Sequence, residues 1–453
     1  MSALTHTPLS RHPDNPRIFL FRTQPTLLIT SGEHYGAVLN RAFRTSEYLK
    51  TLAAAAFNLT RIFSGVYCEP PDAFGISKNT LAPAPEDFLC PWARSSEPGP
   101  DSVGRKFDLT QWDPAYFERL RQFLEEASQH GIVVEYVFFC PFYEEGMWSR
   151  SPLHPDNHVN GPAGLKGIRR NEVWSLDRHR GLLGLQEALI RKVCRELAGF
   201  DNLYYEVCNE PYVGKLPQDW HDHMARCLVE AEKDLPDRHL ISWNVANDTA
   251  TIRNPDPAYG LFNFHYANPP RAVVENASLP HPLGDNETGF RGQGNGNYRR
   301  EAWEFLMAGG ALFNHLDYSF AVGHEDGSYE YPATQPGGGN AKLRSQFTFL
   351  ATFLNRLDLV AVRPAQHLIL GGVPAGCRAW MLAVPGQQYA LYLTSGPAMT
   401  LTLQLEKGRY RMEWFKPTGG KRLESRVIDA KSGPHRISTP SPDPDLAMSM
   451  VRE

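Results

Sequence analysis

Long apolar runs are missing from this 453-residue sequence. No stretch approaches the ~20 apolar residues that a membrane-spanning helix needs, so the membrane is excluded as a partner. Basic runs are missing as well. The net charge is −4 and no Lys/Arg-rich segment stands out, which argues against nucleic acid. Cysteine is sparse, with seven residues at 68, 90, 140, 194, 208, 227 and 377 and no CxxC pair. The plain reading of such an odd, scattered set is reduced, mostly buried thiols in a cytoplasmic protein. The start, Met1 to Pro8, lacks a basic segment followed by an apolar one, so no signal peptide is expected. A chain already trimmed of a leader would read the same. No glycine-rich phosphate loop follows a strand, and no nucleotide is implied.

What is present is ordinary globular composition, 42% hydrophobic and 21% charged, in a chain long enough for a large barrel plus a smaller module. Residues 1–25 are Pro-rich and polar and read as an arm or short strand capping the barrel. Eight short apolar segments then alternate with helical ones. The strands are Thr26–Thr30, Asn58–Phe63, Ile132–Phe139, Leu203–Cys208, Leu240–Trp243, Leu261–Tyr266, Leu283–Glu287 and Ala311–Asn314. Between them, Asp113-Pro114 opens a helix with an N-cap and a proline at the first position, and Gly131 closes it. Ala341 to Leu354 is the closing helix. Two long segments, 64–112 and 140–177, carry little periodicity, and loops of that length are usually functional. Eight strand–helix units predict an α/β fold, a (β/α)8 barrel over residues 1–358. After Asp358 the period changes to two. Leu401, Leu403 and Leu405 alternate with polar residues, as do Tyr410, Met412 and Trp414. Turn signals stand at Ser395-Gly396-Pro397 and Lys407-Gly408. Residues 359–453 are therefore expected to form a small antiparallel β-sandwich, with 439–453 as a weakly ordered tail. No internal repeat is present.

The stretch around which the chain is organised is Leu203-Tyr204-Tyr205-Glu206-Val207-Cys208-Asn209-Glu210-Pro211-Tyr212. Its first half is a buried strand and Pro211 ends it. Asn209 and Glu210 therefore stand at the carboxyl end, where α/β barrels keep their chemistry. Asn-Glu-Pro at a strand end resembles the acid/base motif of the clan A retaining glycoside hydrolases, the cellulase-like (β/α)8 barrels. The resemblance implies a second carboxylate at the end of strand 7, and Glu287 in Gly284-Asp285-Asn286-Glu287-Thr288 fits that place. Glu210 would protonate the leaving oxygen and Glu287 would attack the anomeric carbon. Glu275, in an aperiodic loop, and Glu301, opening a helix, fit less well.

The same resemblance supplies the neighbours. Arg61, at the end of strand 2, is similar to the clan's arginine near the nucleophile, where its fork can orient a carboxylate. His265 and Tyr266 resemble the strand-6 pair, with the Tyr hydroxyl on the nucleophile. Asn209 would donate to a sugar hydroxyl beside the reacting carbon. Glu33, His34 and Tyr35 would bind the innermost sugar, and Trp148, Trp174 and Trp243 would stack on sugar faces. Trp303 falls on a helix and is expected in the core. Strand 8 departs from the pattern, because many clan members have Trp there and this chain has Asn314 in Phe313-Asn314-His315. Asn314 is taken as a substrate-facing residue of a differently built site.

The reading that follows is a glycosidase acting by double displacement on a carbohydrate substrate, with no cofactor and no metal. The long loops would favour exo action on short glycans over an open endo-glycanase cleft. A non-catalytic carbohydrate-binding barrel is the alternative from another class. A metal-dependent barrel would draw on His221-Asp222-His223, but on a helix positions i and i+2 diverge. The sequence is also compatible with a homo-oligomer.

Overall fold

The structure, a computed structural model, describes residues 6–162, 165–178, 181–394, 396 and 398–453. Its centre is a sheet of eight parallel strands in consecutive order. Strand 1 is Leu28–Gly32, strand 2 Leu59–Phe63, strand 3 Val133–Phe139 and strand 4 Leu203–Cys208. Strands 5 to 8 are Leu240–Asn247, Leu261–His265, Leu283–Thr288 and Leu312–Leu316. Strand 8 pairs with strand 1, and the remaining seam, between strands 1 and 2, is bridged by Asn58. Its side-chain oxygen accepts from the Ile29 N–H at 2.9 Å and its amide donates to the Leu27 carbonyl at 2.8 Å. Helices cover the outside, so most barrel strands are buried on both faces and read as continuous apolar runs. The fold is the expected TIM barrel followed by a β-sandwich.

Helix Pro114–Gln129 shows how local sequence sets an element. The Asp113 carboxylate caps it by accepting from the Ala115 N–H at 2.9 Å, and Gly131 leaves it at φ 70°, a conformation that favours glycine. At the amino end of the barrel, strands Ser10–Arg11, Phe19–Phe21 and Gln24–Thr26 form a small antiparallel sheet. Arg22 ties this arm to Asp201 with two hydrogen bonds of 2.6 and 2.9 Å.

Two expectations need correction. Segment 64–112 is not loop throughout, because Trp92–Pro98 and Arg105–Trp112 pair as a hairpin. Its strands are too polar to announce themselves, and they are held by Trp92 stacking on Trp112 and Arg94 lying over Phe107. Residues 439–453 are not a loose tail. Asp445–Arg452 is an inner strand between Gln388–Thr394 and Gly408–Lys416, with Leu446, Met448 and Met450 in the sandwich core. The polar Ser441-Pro442-Asp443-Pro444 run before it hid its alternation.

The sandwich packs a six-stranded sheet against a three-stranded one that includes Thr400–Leu405. Leu401, Leu403 and Leu405 face inward onto Met381, Leu391 and Leu393. Of the Ser395-Gly396-Pro397 turn, Ser395 and Pro397 lie outside the described residues. The sandwich is fastened to barrel helix Asn295–Met307. Arg299 grips Asp445 with bonds of 2.7 and 3.1 Å, Arg378 grips Glu304 at 2.7 Å, and Trp303, in the core as expected, stacks on Tyr392 at 5.0 Å.

Midway along the barrel strands the interior is polar. Asn263 and Asn286 donate to Glu206 at 3.1 and 3.0 Å, and Asn286 also donates to Glu135 at 2.8 Å. Burial and the charge of Glu206 push Glu135 above the usual carboxylate range. Arg61 binds Glu206 from above and lies 3.4 Å from Glu135. This layer is the floor of the site.

Candidate active site

Glu210 stands two residues beyond strand 4 with φ 40°, a left-handed conformation that a side-chain-bearing residue adopts only when its surroundings hold it there. The hold is Asn244 on strand 5, whose side-chain Oδ1 accepts the Glu210 N–H at 2.9 Å. Glu287 is on strand 7, with its side chain at the same mouth of the barrel. Carboxylate oxygens of Glu210 and Glu287 lie within 4.8 Å of one another. Between them sits His265, with Nδ1 3.1 Å from Glu210 and 3.4 Å from Glu287.

Four groups converge on Glu287. Tyr35 and Tyr266 donate their hydroxyls at 3.0 and 3.1 Å, and Arg61 donates at 3.3 Å. His265 is the fourth. Burial alone would favour the protonated acid. The charge and hydrogen bond of His265, then Arg61 and His34, override it and hold Glu287 well below the usual carboxylate range. The reverse acts on His265: burial would lower it, but Glu287 and Glu210 push it up to about 10. It is therefore an imidazolium at neutral pH. Arg61 also donates to the Asn209 oxygen at 2.8 Å, which turns the Asn209 amide toward the opening.

Around Glu210 the partners are different. Tyr143 donates to Oε2 at 2.7 Å and Tyr212 to Oε1 at 3.3 Å. Burial, reinforced by Cys140 and Glu210, raises Tyr143 well above the ordinary phenol range, so its proton stays on. The Asn209 amide donates to the same Tyr143 oxygen at 3.0 Å.

The two carboxyls open into a cavity of about 270 Å³. Glu210, Glu287, Asn209, Tyr266, His34 and Tyr35 line it, while Arg61 and His265 stand directly behind the carboxylates. Glu69 forms part of its wall, held by the Tyr67 hydroxyl at 2.9 Å and His34 at 3.3 Å. The wall can close because Gly36 has no side chain: a Cβ there would meet the Thr80 carbonyl at 2.2 Å.

Five expected residues fall elsewhere. Glu33 is buried and its carboxylate is occupied by the N–H groups of Gly36 and Ala37, at 2.9 and 3.0 Å. Asn314 is buried, bonding the Asn286 carbonyl at 3.0 Å. Trp148 packs on Phe142 and His154, and Trp174 on Phe142 and Trp220. Trp243 faces the outer helices, against Tyr259 and His221. A large apolar ring finds more contact in a core than at a mouth, and no pattern in the chain marks the difference. Two residues beyond strand 8, the Tyr318 ring packs between His34 and Phe290.

Glu69, Tyr143, Tyr212, Phe74 and Phe290 are additions that sequence reasoning missed. Tyr143 and Tyr212 each follow a barrel strand by a few residues, and that position was the available signal. Glu69 and Phe74 come from the long segment after strand 2, where nothing fixes which residues turn inward.

Among the described residues, two groups bring three ligand atoms together: Glu210, His265 and Glu287, and Glu187, His223 and Cys227. In the first, the charges of His265 and Arg61 already answer the carboxylates. In the second, Glu187 is taken by Arg178 and Arg191. His221 and His223 diverge, His221 to Tyr259 and His223 to Glu187. Neither group offers a cation an unanswered set of ligands.

No protein-family model and no curated protein matches the chain. Solved structures do. One described as a glycoside hydrolase is 13% identical over 99% of this chain and 97% of its own, with a TM-score of 0.65. A putative glycoside hydrolase from Bacteroides vulgatus ATCC 8482 is 15% identical over 99% and 83%, with a TM-score of 0.66. A family 5 glycoside hydrolase from the same organism is 13% identical over 98% and 93%, with a TM-score of 0.64. The likeness runs through barrel and sandwich together and is one of fold.

Proposed function

We propose that this protein is a retaining glycoside hydrolase, with Glu210 as acid/base and Glu287 as nucleophile. The observation that carries the reading is the spacing of the two carboxyls, with oxygens within 4.8 Å of one another. Retaining enzymes hold the pair about 5–5.5 Å apart, and inverting ones need about 6.5–9.5 Å to admit a water between. The fold shared with solved glycoside hydrolases supports it.

Glu287 faces two cations and two phenols, which favours the carboxylate. An oxygen of Glu287 attacks the anomeric carbon while the bond to the leaving oxygen breaks, and Glu210 gives that oxygen its proton. Glu210, now a carboxylate, takes a proton from water. The water oxygen attacks the same carbon and Glu287 is released, with the original anomeric configuration restored. Asn209, set by Arg61 and Tyr143, donates to the hydroxyl beside the reacting carbon.

The small cavity and the wall at Glu69 support exo action on one terminal sugar over an open endo cleft. At about 270 Å³ it falls below the roughly 300–1,000 Å³ of most ligand pockets. In this reading residues 1–358 carry the chemistry and 359–453 form a stabilising module. Seven unpaired cysteines support a cytoplasmic location.

The test is a panel of 2-deoxy-2-fluoro glycosides followed by peptide mass mapping. The expected result is stoichiometric inactivation with the sugar on Glu287. A label on another residue removes the nucleophile assignment, and product of inverted configuration removes the retaining mechanism.

A further inference from the structure

The cavity has a polar part and an apolar part. Inside are Glu69 and His34. At the mouth stand Phe74, Val213 and Phe290, which are 44%, 46% and 37% exposed and are among the few large hydrophobic side chains left in solvent. They arrive from different loops. Phe74 comes from the segment after strand 2, Val213 follows strand 4, and Phe290 follows strand 7. Phe74 meets Phe290 edge to face at 6.2 Å and Tyr143 at 5.6 Å, and Phe290 meets Tyr318 at 6.1 Å. The four rings make a continuous collar. Phe74 is displayed from a strained position, with φ 55° inside a single turn, Ala73–Gly75. A non-glycine residue held at positive φ to set an apolar ring at the rim of a cavity points to a role for that ring in binding.

The collar's place relative to the acid fixes what that partner is. Tyr143 bonds Glu210 and packs on Phe74, and Val213 lies three residues beyond Glu210. The leaving group sits on the side of the residue that protonates it. We infer that the leaving-group site is apolar, and that the substrates are glycosides of a hydrophobic aglycone, aryl or alkyl, rather than oligosaccharides. An aryl or alkyl group can bury its whole surface against these rings, whereas a second sugar stacks only its C–H face and turns hydroxyls toward phenylalanine and valine.

This inference rests on the glycosidase reading, and the experiment separates the two. Glycosyl fluorides of glucose, galactose, mannose and xylose, in both anomers, carry a leaving group that needs no apolar site. If none is turned over, the glycosidase reading fails and the inference falls with it. On the glycone that is turned over, kcat/KM is then measured for methyl, butyl, hexyl and octyl glycosides, whose leaving groups have similar chemistry, and for a disaccharide. The expected result is a rise of about two- to fourfold per CH2 until the collar is filled, with the disaccharide below the octyl glycoside. Phe74→Ala and Phe290→Ala should each remove most of the chain-length dependence. Octyl thioglycoside, an intact analogue, should inhibit at least tenfold more tightly than methyl thioglycoside. A flat series, or a disaccharide preferred to the octyl glycoside, overturns the inference and leaves the glycosidase reading standing.

Discussion

Tyr143 reaches Glu210 from the loop after strand 3 and donates its hydroxyl to Oε2 across 2.7 Å. The Tyr143 hydroxyl oxygen in turn accepts from the Asn209 amide at 3.0 Å, so one phenol positions both residues of the Asn-Glu pair. Tyr143→Phe keeps the ring against Phe74 and removes this bond. A hydrogen bond to a charged group contributes about 1.5–3 kcal/mol, so kcat/KM should fall about 10- to 100-fold with little change in thermal stability. Loss of folding along with activity would mean that the hydroxyl is structural.

Glu210→Gln removes the proposed proton donor and keeps the shape. Glycosides with poor leaving groups should lose about 10²–10⁴-fold in kcat, the usual range for general acid catalysis. Glycosyl fluorides, which need no proton to depart, should retain a normal first step, seen as a burst of fluoride. An equal loss on both substrates would contradict the acid role.

The imidazolium of His265 links stability to pH. Its pKa is raised from 6.5 to about 10, so it binds its proton more tightly folded than unfolded. That contribution is complete below pH 6.5 and is lost as the pH rises through about 10. Glu287 is shifted the other way, so its contribution is present above the ordinary Glu value and is lost in acid. Unfolding temperatures should therefore decline between pH 7 and 10. His265→Gln should flatten that decline, and an unchanged slope would show that the imidazolium is not its source.

Asp445 holds the last strand to the barrel through Arg299 and, within the sandwich, accepts the Tyr392 hydroxyl at 3.0 Å. Asp445→Ala leaves a buried guanidinium unpaired, a change that costs about 3–5 kcal/mol. Denaturant titration should show that loss, whereas Asp443→Ala, at a more exposed ion pair with Lys416, should shift the midpoint little.

The amino-acid order alone determined the architecture and which strand ends carry the two candidate carboxylates. Eight apolar segments separated by amphipathic ones leave few folds other than a barrel, and Pro211 puts Asn209 and Glu210 at a strand end. Strand count then points to Glu287. Local rules of that kind need no distant partner. Only the tertiary structure decided which side chains from different loops meet. Nothing near Phe74 in sequence announces Phe290, and nothing near Tyr143 announces Glu210. Glu33, Asn314 and three tryptophans were credited with substrate contacts because their residue types suit the task, but burial is settled by what packs from the other side. The left-handed backbone at Tyr35, Glu210 and Tyr266 is likewise invisible in the chain. It exists because neighbouring strands hold those residues where an isolated segment would not stay.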